Sequence, residues 1–485
     1  MSKLKQLANQ TLIYGISTIL VRSLNWLIAP FQSYVFDNSP AGVGIITEIY
    51  AYVAFFNVLL MYGMETAFFR FASHKSDANK VFSTAFISLL GTTFIFALGI
   101  FLSADKIAAL LSYPNYGFII KLVALILAFD TLSNIPFARL RLESKPLKYV
   151  AIKLLNVVLT VTLNIALLYP MYKNAQNGGV FDEKQALFYV FLANMIASLA
   201  TFLVFIPQII KTKLQFDKQT WQQMLKYGLP LVIVGLAGIV NETIDRILLK
   251  YLLPGTLEER NVQVGIYGMA YKLSIFMSLV VQAYRMGAEP FFFKQAKDDD
   301  ALPVLAKAMD FFVIAGVAVF LAVSLNLDWI IMALGPSFRA GKDLVPILLM
   351  AYLFLGIFYN LSVWYKVGDK THYATIISIT GAVVTILINV LLIPKYGYWA
   401  SAWATFFSYF VMTIFSWLWG KKYYPVPYNI TKNLVYISIG IFIYLVFYFA
   451  PINNLFIKLI LANATLVLFI AFAFGRDIKK LLSKK

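Results

Sequence analysis

The sequence predicts an all-α integral membrane protein of about 14 transmembrane helices. Of its 485 residues, 60% are hydrophobic and only 13% are charged, whereas a soluble domain carries about 25% charged residues. The apolar runs are nearly continuous over about 20 residues, the length that a helix needs to cross the hydrocarbon core. Strands of a membrane barrel would alternate apolar and polar residues instead. The backbone must therefore satisfy its hydrogen bonds in lipid as helices.

Polar segments divide the chain into successive apolar runs, and each run predicts one helix. In chain order the predicted helices cover residues 11–36, 42–70, 82–103, 117–138, 149–170, 186–208, 224–252, 264–288, 304–326, 344–366, 372–393, 397–419, 430–449 and 453–475. The connecting segments reach about 20 residues at most, which is too short for an extramembrane domain of usual size.

The net charge of +18 comes from short clusters of lysine and arginine between the apolar runs. We attribute it to membrane topology and contacts with anionic lipids, and we expect no nucleic-acid partner. With the N-terminus in the cytoplasm, the inner segments hold roughly 27 basic residues and the outer ones, Lys250 among them, roughly 9. This bias predicts an even number of helices and two cytoplasmic termini.

The chain contains no cysteine and two histidines, His74 and His372. Thiolate metal sites, disulfides and cysteine nucleophiles are therefore excluded, and a histidine-rich metal site is not expected. We predict neither a metal nor a cofactor, and no catalytic residue. The chain also lacks a Walker A loop, so ATP is not expected to drive it directly.

An internal repeat links the first and seventh predicted helices, which begin Tyr14-Gly15 and Tyr227-Gly228. Two further landmarks recur in the same order, Val43-Gly44-Ile45 with Val264-Gly265-Ile266, and Tyr62 with Tyr284. The repeat predicts two parallel six-helix lobes, residues 1–213 and 214–422, followed by two added helices and a basic tail at 423–485. Transporters with parallel repeats bind their cargo between the halves.

Five segments carry a resemblance to a known family. Residues 226–230 read Lys-Tyr-Gly-Leu-Pro, residues 241–246 read Asn-Glu-Thr-Ile-Asp-Arg, and residues 264–272 read Val-Gly-Ile-Tyr-Gly-Met-Ala-Tyr-Lys. Residues 63–67 read Gly-Met-Glu-Thr-Ala, and residues 366–371 read Lys-Val-Gly-Asp-Lys-Thr. In order and spacing these segments resemble the Wzx-type oligosaccharide and polysaccharide flippases of the multidrug/oligosaccharidyl-lipid/polysaccharide (MOP) exporter superfamily.

The resemblance implies a MATE-like fold of two six-helix lobes, here with two helices added. It implies a flippase, not an enzyme, that moves a polyprenyl-diphosphate-linked oligosaccharide to the outer leaflet of the bacterial inner membrane. Such a step serves the biosynthesis of cell-surface polysaccharides such as lipopolysaccharide. Membrane lipids are expected partners, a polysaccharide polymerase is a candidate partner, and we expect a monomer.

Arg22 is the most informative charge inside a predicted span. It lies about 16 Å into the first helix, near the bilayer midplane, where a charge usually faces a cavity or a partner. One interpretation is a cavity cation that binds a diphosphate through its planar fork. The other is a buried ion pair with Glu48 or Glu242 on another helix.

The seventh helix carries a polar group formed by Asn241, Glu242, Asp245 and Arg246. Glu242 and Arg246 are four residues apart and share a face, so they could form an internal salt bridge. Alternatively, Asn241, Glu242 and Asp245, with Glu48 on the second helix, act as an outer gate or an ion-coupling site, and Arg246 is a cavity cation.

Three more cations are candidates for binding the cargo. Lys272 lies in the eighth helix, where it lines the cavity or extends to the outer interface. Arg70 and Arg285 end equivalent helices of the two repeats at the cytoplasmic face. They are either topology anchors or the two sides of a basic mouth that captures a headgroup.

Two pairs of residues have structural interpretations. Asp130 and Lys153 lie in the cytoplasmic third of neighbouring helices, and we interpret them as a structural ion pair. Pro30 and Pro230 lie in the first helix of each lobe, where a proline produces either a hinge or a static kink.

Three alternative functions are weighed against this flippase. A lipid II flippase is hardly separated by the sequence, and a multidrug exporter of the same superfamily would be expected to carry a coupling carboxylate rather than an arginine in its membrane core. A membrane glycosyltransferase or polymerase would need acidic residues or a histidine on a sizeable outer loop, and both histidines are predicted to be cytoplasmic.

Overall fold

A computed structural model describes residues 19–21, 23–24, 26–74, 77–295, 301–368, 370–452 and 454–482. Within these residues the chain is helical, with no β-strand. The first helix, α1, is described at residues 19–21, 23–24 and 26–35. It is followed by α2 (Pro40–Met61), α3 (Met64–His74), α4 (Ala78–Leu102), α5 (Ala104–Leu110), α6 (Gly117–Leu142), α7 (Pro146–Gln176), α8 (Glu183–Ile210) and α9 (Lys218–Leu252).

The second half has the same all-helical character. Its helices are α10 (Leu257–Leu273), α11 (Ile275–Gln295), α12 (Ala301–Ser324), α13 (Leu327–Ile330), α14 (Leu344–Leu361), α15 (Val363–Val367), α16 (His372–Tyr396), α17 (Tyr398–Tyr423), α18 (Ile430–Phe449) and α19 (Leu455–Leu482). Two short 3₁₀ helices, Ile331–Ala333 and Pro336–Gly341, connect α13 to α14.

Twelve helices of the described chain are long and apolar enough to cross a membrane, or up to thirteen if the bent pair α10 and α11 forms one span. The first predicted helix, residues 11–36, extends beyond the described residues. The prediction of an all-α multi-pass membrane protein is confirmed. The predicted helices after the first are found at the expected places, with ends that differ by at most seven residues.

Two predicted helices are broken in the middle. The second is interrupted at Tyr62 and Gly63, whose φ angles of 29° and 76° lie in the left-handed region. The eighth is interrupted at Ser274, where α10 and α11 meet at a bend of 44°. The Ser274 hydroxyl donates to the carbonyl oxygen of Tyr271 at 2.7 Å. Both breaks lie inside runs that are apolar overall and long enough to be read as one helix each, which is why the apolar runs alone do not reveal them.

The chain forms two compact units, residues 1–247 and 248–485. In the first unit, α6 packs between α4 and α8, and α7 packs on α8. One apolar cluster of this unit includes Phe68, Phe82, Phe137 and Phe205. The unit boundary falls inside α9, and the division into lobes at residues 213 and 422 remains a prediction.

In the second unit, the candidate span that contains α14 is the most enclosed, with 78% of an 18-residue apolar stretch buried. It packs against α11, α12 and α17, while the added helices α18 and α19 pack on α12. Gly440 allows α18 a close approach, because an added Cβ there would lie 2.5 Å from the Val317 side chain.

Ion pairs fasten the added helices near opposite ends of α12. On α18, Lys432 Nζ lies 3.1 Å from Asp310 Oδ2. On α19, Lys458 Nζ lies 2.7 Å from Asp328 Oδ2, and Lys342 also pairs with Asp328. Burial alone would raise the pKa of Asp328, but hydrogen bonds from both lysines outweigh burial and hold it below the usual value.

A polar feature recurs in the two units. In α7 the amide of Asn164 donates to the carbonyl oxygen of Thr160 at 2.8 Å. In α16 the amide of Asn389 donates to the carbonyl oxygen of Thr385, also at 2.8 Å. The two Thr–Asn pairs are 225 residues apart in the chain (385 − 160 and 389 − 164), so they add a further landmark to the internal repeat.

Candidate functional site

Arg22 lies outside the described residues, so its role as a cavity cation or as half of an ion pair remains a prediction. The two carboxylates proposed as its partners are described and differ sharply. Glu48 is completely buried and accepts a hydrogen bond of 2.6 Å from the Tyr113 hydroxyl. Glu242 is exposed. A buried carboxylate needs compensating donors, and Tyr113 is one of those that Glu48 has.

The polar group of α9 is divided between two environments. Asn241 and Asp245, one turn apart, retain only 3% and 1% of their accessible surface. The Asp245 carboxylate accepts the main-chain N–H of Arg246 at 2.8 Å. Arg246 donates through Nη1 to the main-chain carbonyl of Glu242 at 3.1 Å. Within the described chain no ion pair joins the Glu242 carboxylate to Arg246, so their contact runs through the backbone.

Lys250 is a residue that the sequence analysis did not select, having counted it among the outer topology charges. The structure places it in the last turn of α9 with 1% of its surface exposed, and its Nζ lies 5.1 Å from the centroid of the Tyr251 ring. Lysine is almost never fully buried unless it is paired. The sequence does contain a sign of this burial. Apolar residues continue past Lys250, and the helix extends to Leu252.

Lys272 lies in the last turn of α10, two residues before the break at Ser274. The helix begins at Leu257, after a capping box formed by Thr256 and Glu259. Its start is thus seven residues earlier than predicted, and Lys272 lies roughly 22 Å along the helix axis from that start. The side chain is half-buried, so the choice between cavity and interface remains open.

Arg70 and Arg285 occupy equivalent chemical settings, each within its own unit. The guanidinium carbon of Arg70 lies 4.3 Å from the centroid of the Tyr227 ring, and that of Arg285 lies 4.8 Å from the centroid of the Tyr359 ring. Both arginines are exposed. Stacking uses the face of a guanidinium, whereas bidentate phosphate binding uses its edge. The two contacts are therefore compatible with binding an anion.

Two of the family-like segments meet in the first unit. An added Cβ on Gly63 would lie 2.3 Å from the carbonyl oxygen of Gly228, and one on Gly228 would lie 2.9 Å from that of Tyr62. Beside this backbone contact, Phe71 packs edge-on against Tyr227 at 6.3 Å. The helix break and the start of α9 thus form one contact, which brings Tyr227 under Arg70.

The start of α9 is held against α4. The Asp217 carboxylate pairs with Lys80 Nζ at 2.7 Å and accepts the main-chain N–H of Thr220 at 2.6 Å. Hydrogen bonds from Lys80 and Thr220 hold the pKa of Asp217 well below its usual range. One turn further, the Trp221 indole donates to the Ser88 hydroxyl at 2.8 Å. These contacts fix the helix that carries Tyr227 and Gly228.

Asp130 and Lys153, interpreted as a structural pair, lie in one polar region of the first unit. Within the described residues the Asp130 carboxylate forms no direct ion pair with Lys153, although the two groups attract each other electrostatically. The Lys153 ammonium lies 4.2 Å from the centroid of the Phe137 ring. The neighbouring Arg141 forms an ion pair with Glu65.

The two prolines lie inside helices. α9 continues without a break through Pro230. In α1, the carbonyl oxygen of Pro30 accepts the Ser33 hydroxyl at 2.6 Å. Whether either proline is a hinge or a static kink remains a prediction. Among the described residues, no group of three histidine, cysteine, aspartate or glutamate side chains is placed to hold a metal ion.

Comparison with known proteins finds a matching family profile and a curated protein of similar sequence. A family profile described as polysaccharide biosynthesis protein matches residues 7–295. An uncharacterized membrane protein of Methanocaldococcus jannaschii is 24% identical over 274 residues, which is 54% of this chain and 50% of that protein. The chain thus spans about half the length of this curated relative.

Several solved structures share the fold. A lipid II flippase, MurJ, in an inward closed conformation, aligns over 96% of this chain and 99% of its own, with a TM-score of 0.69 and 16% identity. An inward-facing multidrug resistance MATE family transporter of the MOP superfamily aligns over 87% of this chain and 99% of its own, with a TM-score of 0.61 and 14% identity. At these identities the likeness concerns the fold. The family match covers more than half of the chain, and the protein therefore belongs to the polysaccharide biosynthesis protein family, with the fold of MOP superfamily transporters.

Proposed function

We propose that the protein is a flippase that moves a polyprenyl-diphosphate-linked oligosaccharide from the cytoplasmic to the outer leaflet, and that it is not an enzyme. The observation that carries the proposal is the family match over residues 7–295. Because the fold is shared with transporters, such a protein would serve polysaccharide biosynthesis by moving a precursor rather than by forming its bonds. We place it as a monomer in the bacterial inner membrane, with both termini in the cytoplasm.

Because the cargo's diphosphate is negatively charged, its binding requires cations near and within the membrane. Arg70 and Arg285, each stacked on a tyrosine, are suited to capture the headgroup at the predicted cytoplasmic face. Arg22, Arg246 and Lys272 would carry it through the membrane interior. Arginine suits this task because its fork matches phosphate oxygens and remains charged at any physiological pH.

The mechanism that we propose is alternating access. The headgroup binds from the cytoplasm while the polyprenyl tail stays in lipid, and the lobes then rock to present the sugar outside. Asn241, Glu242, Asp245 and Glu48 would form the gate or the ion-coupling site. An inside-negative potential favours outward movement of an anion by about 2.3 kcal/mol per charge per 100 mV. A polysaccharide polymerase would act after this step.

The proposal is tested by leaflet translocation in vesicles that contain the purified full-length chain and a fluorescent polyprenyl-diphosphate sugar. Arg22→Ala should abolish translocation. Its control is Arg260→Ala, because Arg260 is half-buried on a predicted outer segment and donates to the carbonyl oxygen of Gly255. Both variants should insert equally into vesicles. Full translocation by Arg22→Ala would overturn the role of the cavity cation.

A lipid II flippase is the second candidate. The MurJ structure aligns over 96% of this chain, whereas the MATE transporter aligns over 87%. The two candidates are separated by offering labelled lipid II and a labelled polyprenyl-diphosphate oligosaccharide to the same vesicles. Faster flipping of lipid II would replace the proposed cargo.

The proposed sidedness has its own test, because the chain contains no cysteine and single cysteines can be introduced cleanly. Lys421→Cys and Lys395→Cys place thiols on exposed positions that are predicted to lie inside and outside, respectively. A membrane-impermeant maleimide applied to intact cells should label position 395 alone. Labelling of position 421 would reverse the proposed orientation.

A further inference from the structure

Two adjoining cavities lie at the predicted cytoplasmic end of the second unit, apart from the cations assigned to the cargo. The deeper one, which we call the apolar chamber, has a volume of about 240 Å³ and lies between α12, α14, α17 and α18. Its walls include Val313, Phe354, Phe410, Leu434 and Ile437. The second, which we call the interfacial pocket, has a volume of about 350 Å³.

The two cavities adjoin because they share four lining residues, Leu361, Trp417, Tyr428 and Ile430. Along α18 the apolar chamber extends from Ile430 to Ile437, a rise of about 10 Å. Against a hydrocarbon core of about 30 Å, this depth corresponds to the part of one leaflet nearest the interface. The pair of cavities therefore leads from the membrane surface into the acyl region.

The chamber offers almost nothing for water to bind. Its Thr413 hydroxyl is already used in hydrogen bonds to the carbonyl oxygens of Phe354 and Tyr409. Asn433, with 8% of its surface exposed, lines the chamber, and its Oδ1 accepts no hydrogen bond from the described part of the chain. An apolar cavity of this kind stays dry and accepts hydrocarbon.

The interfacial pocket is basic and aromatic. Lys421 lines it, and no carboxylate is found among the described residues of its wall. Trp364, also in the wall, stacks on Tyr423 at 5.6 Å. The same Tyr423 ring lies 3.5 Å from Lys370 Nζ and 5.5 Å from Lys422 Nζ. Lys421 thus lines the opening, and two further ammonium groups lie beside the Tyr423 ring that packs on its wall. Such clusters attract anionic lipid headgroups.

We propose that the two cavities form a binding site for an anionic phospholipid of the cytoplasmic leaflet. One acyl chain occupies the apolar chamber, and the phosphate lies in the interfacial pocket near Lys421. Hydrocarbon alone would not select this lipid, since the surrounding bilayer is equally apolar. Selectivity comes from the lysines. The occupant is a resident phospholipid that joins α18 to the core helices, and it is not the transported cargo.

The test is native mass spectrometry of the delipidated full-length chain, titrated with phosphatidylglycerol or phosphatidylcholine. The wild-type protein should retain one phosphatidylglycerol more tightly than phosphatidylcholine. Lys421→Ala should weaken that binding about fivefold, the effect of one lysine near an anionic surface. The matched control is Lys395→Ala, because Lys395 is also exposed and also lies over an aromatic ring, at 5.2 Å from the centroid of Tyr396, away from the cavities.

A second variant tests the chamber. Leu434 lines it but is 51% exposed, so Leu434→Trp can add volume without disturbing a closed core, and it should displace the bound lipid. Equal binding of both lipids, or unchanged binding in Lys421→Ala and Leu434→Trp, would overturn the proposal. Displacement of phosphatidylglycerol by an equimolar polyprenyl phosphate at this site would also overturn it, because the occupant would then be a cargo tail.

Discussion

The contact between Gly63 and Gly228 predicts a large effect from the smallest possible side chain. In Gly63→Ala, the new Cβ would lie 2.3 Å from the carbonyl oxygen of Gly228, at a residue whose φ is +76°. An L-residue in the left-handed region costs about 1–2 kcal/mol, and forcing apart a packed contact costs typically about 1–3 kcal/mol. We therefore expect Gly63→Ala to lower the free energy of unfolding by about 2–5 kcal/mol.

The companion variants separate the two contributions. In Gly228→Ala the Cβ would meet Tyr62 at 2.9 Å without a positive φ, so only the packing cost of about 1–3 kcal/mol should remain. Gly238→Ala, on the same helix, has nothing within 4 Å of its new Cβ and should be neutral or slightly stabilising. Thermal unfolding of the purified protein in detergent would rank the three. If Gly63→Ala unfolds at the same temperature as Gly238→Ala, the reasoning is refuted.

Three further predictions concern other contacts. Tyr227→Leu removes the ring beneath Arg70 and should raise the cargo concentration needed for half-maximal flipping, whereas Tyr227→Phe should not; equal behaviour of the two would exclude the ring contact. Lys432→Ala leaves the mostly buried Asp310 carboxylate (15% exposed) without this ion pair and should destabilise the protein by about 1–3 kcal/mol. The double variant Asp310→Asn with Lys432→Ala should recover part of that loss. In a thermal double-mutant cycle that includes Asp310→Asn alone, additive losses would contradict the pairing. The lowered pKa of Asp328 implies a stabilisation that is complete above about pH 3.9, the unfolded value, and is lost as the pH falls through the folded pKa. Asp328→Asn should therefore flatten the acid side of the unfolding profile, and an unchanged profile would refute the linkage.

The fold could be predicted because lipid imposes a simple rule on the chain. Each span needs a long apolar run with internally paired backbone, so helix number and position follow from composition. The breaks at Tyr62–Gly63 and Ser274 could not be predicted in this way. They change backbone direction without ending the surrounding apolar run, and the break at Gly63 also depends on a neighbour distant in sequence, Gly228.

The candidate site was predicted by residue type, and its geometry was not. The sequence selected Arg70 and Arg285 from the repeat, but the tyrosines beneath them lie far along the chain, at 227 and 359. Lys250 was counted as an outer charge because its position near a helix end resembles that of an interfacial lysine. Its burial depends on tertiary packing, which local sequence does not encode.

The ion pairs that hold the added helices α18 and α19 have a mechanical consequence. Lys432 holds α18 near the start of α12, whereas Lys458 holds α19 beyond its other end, and Asn463 reinforces that grip on Asn326 at 3.0 Å. A force applied to the C-terminal tail would load α19 first and reach α18 only after α19 had detached. When the molecule is pulled from that tail, we expect the force–extension trace to show two separate unfolding events before the core helices extend.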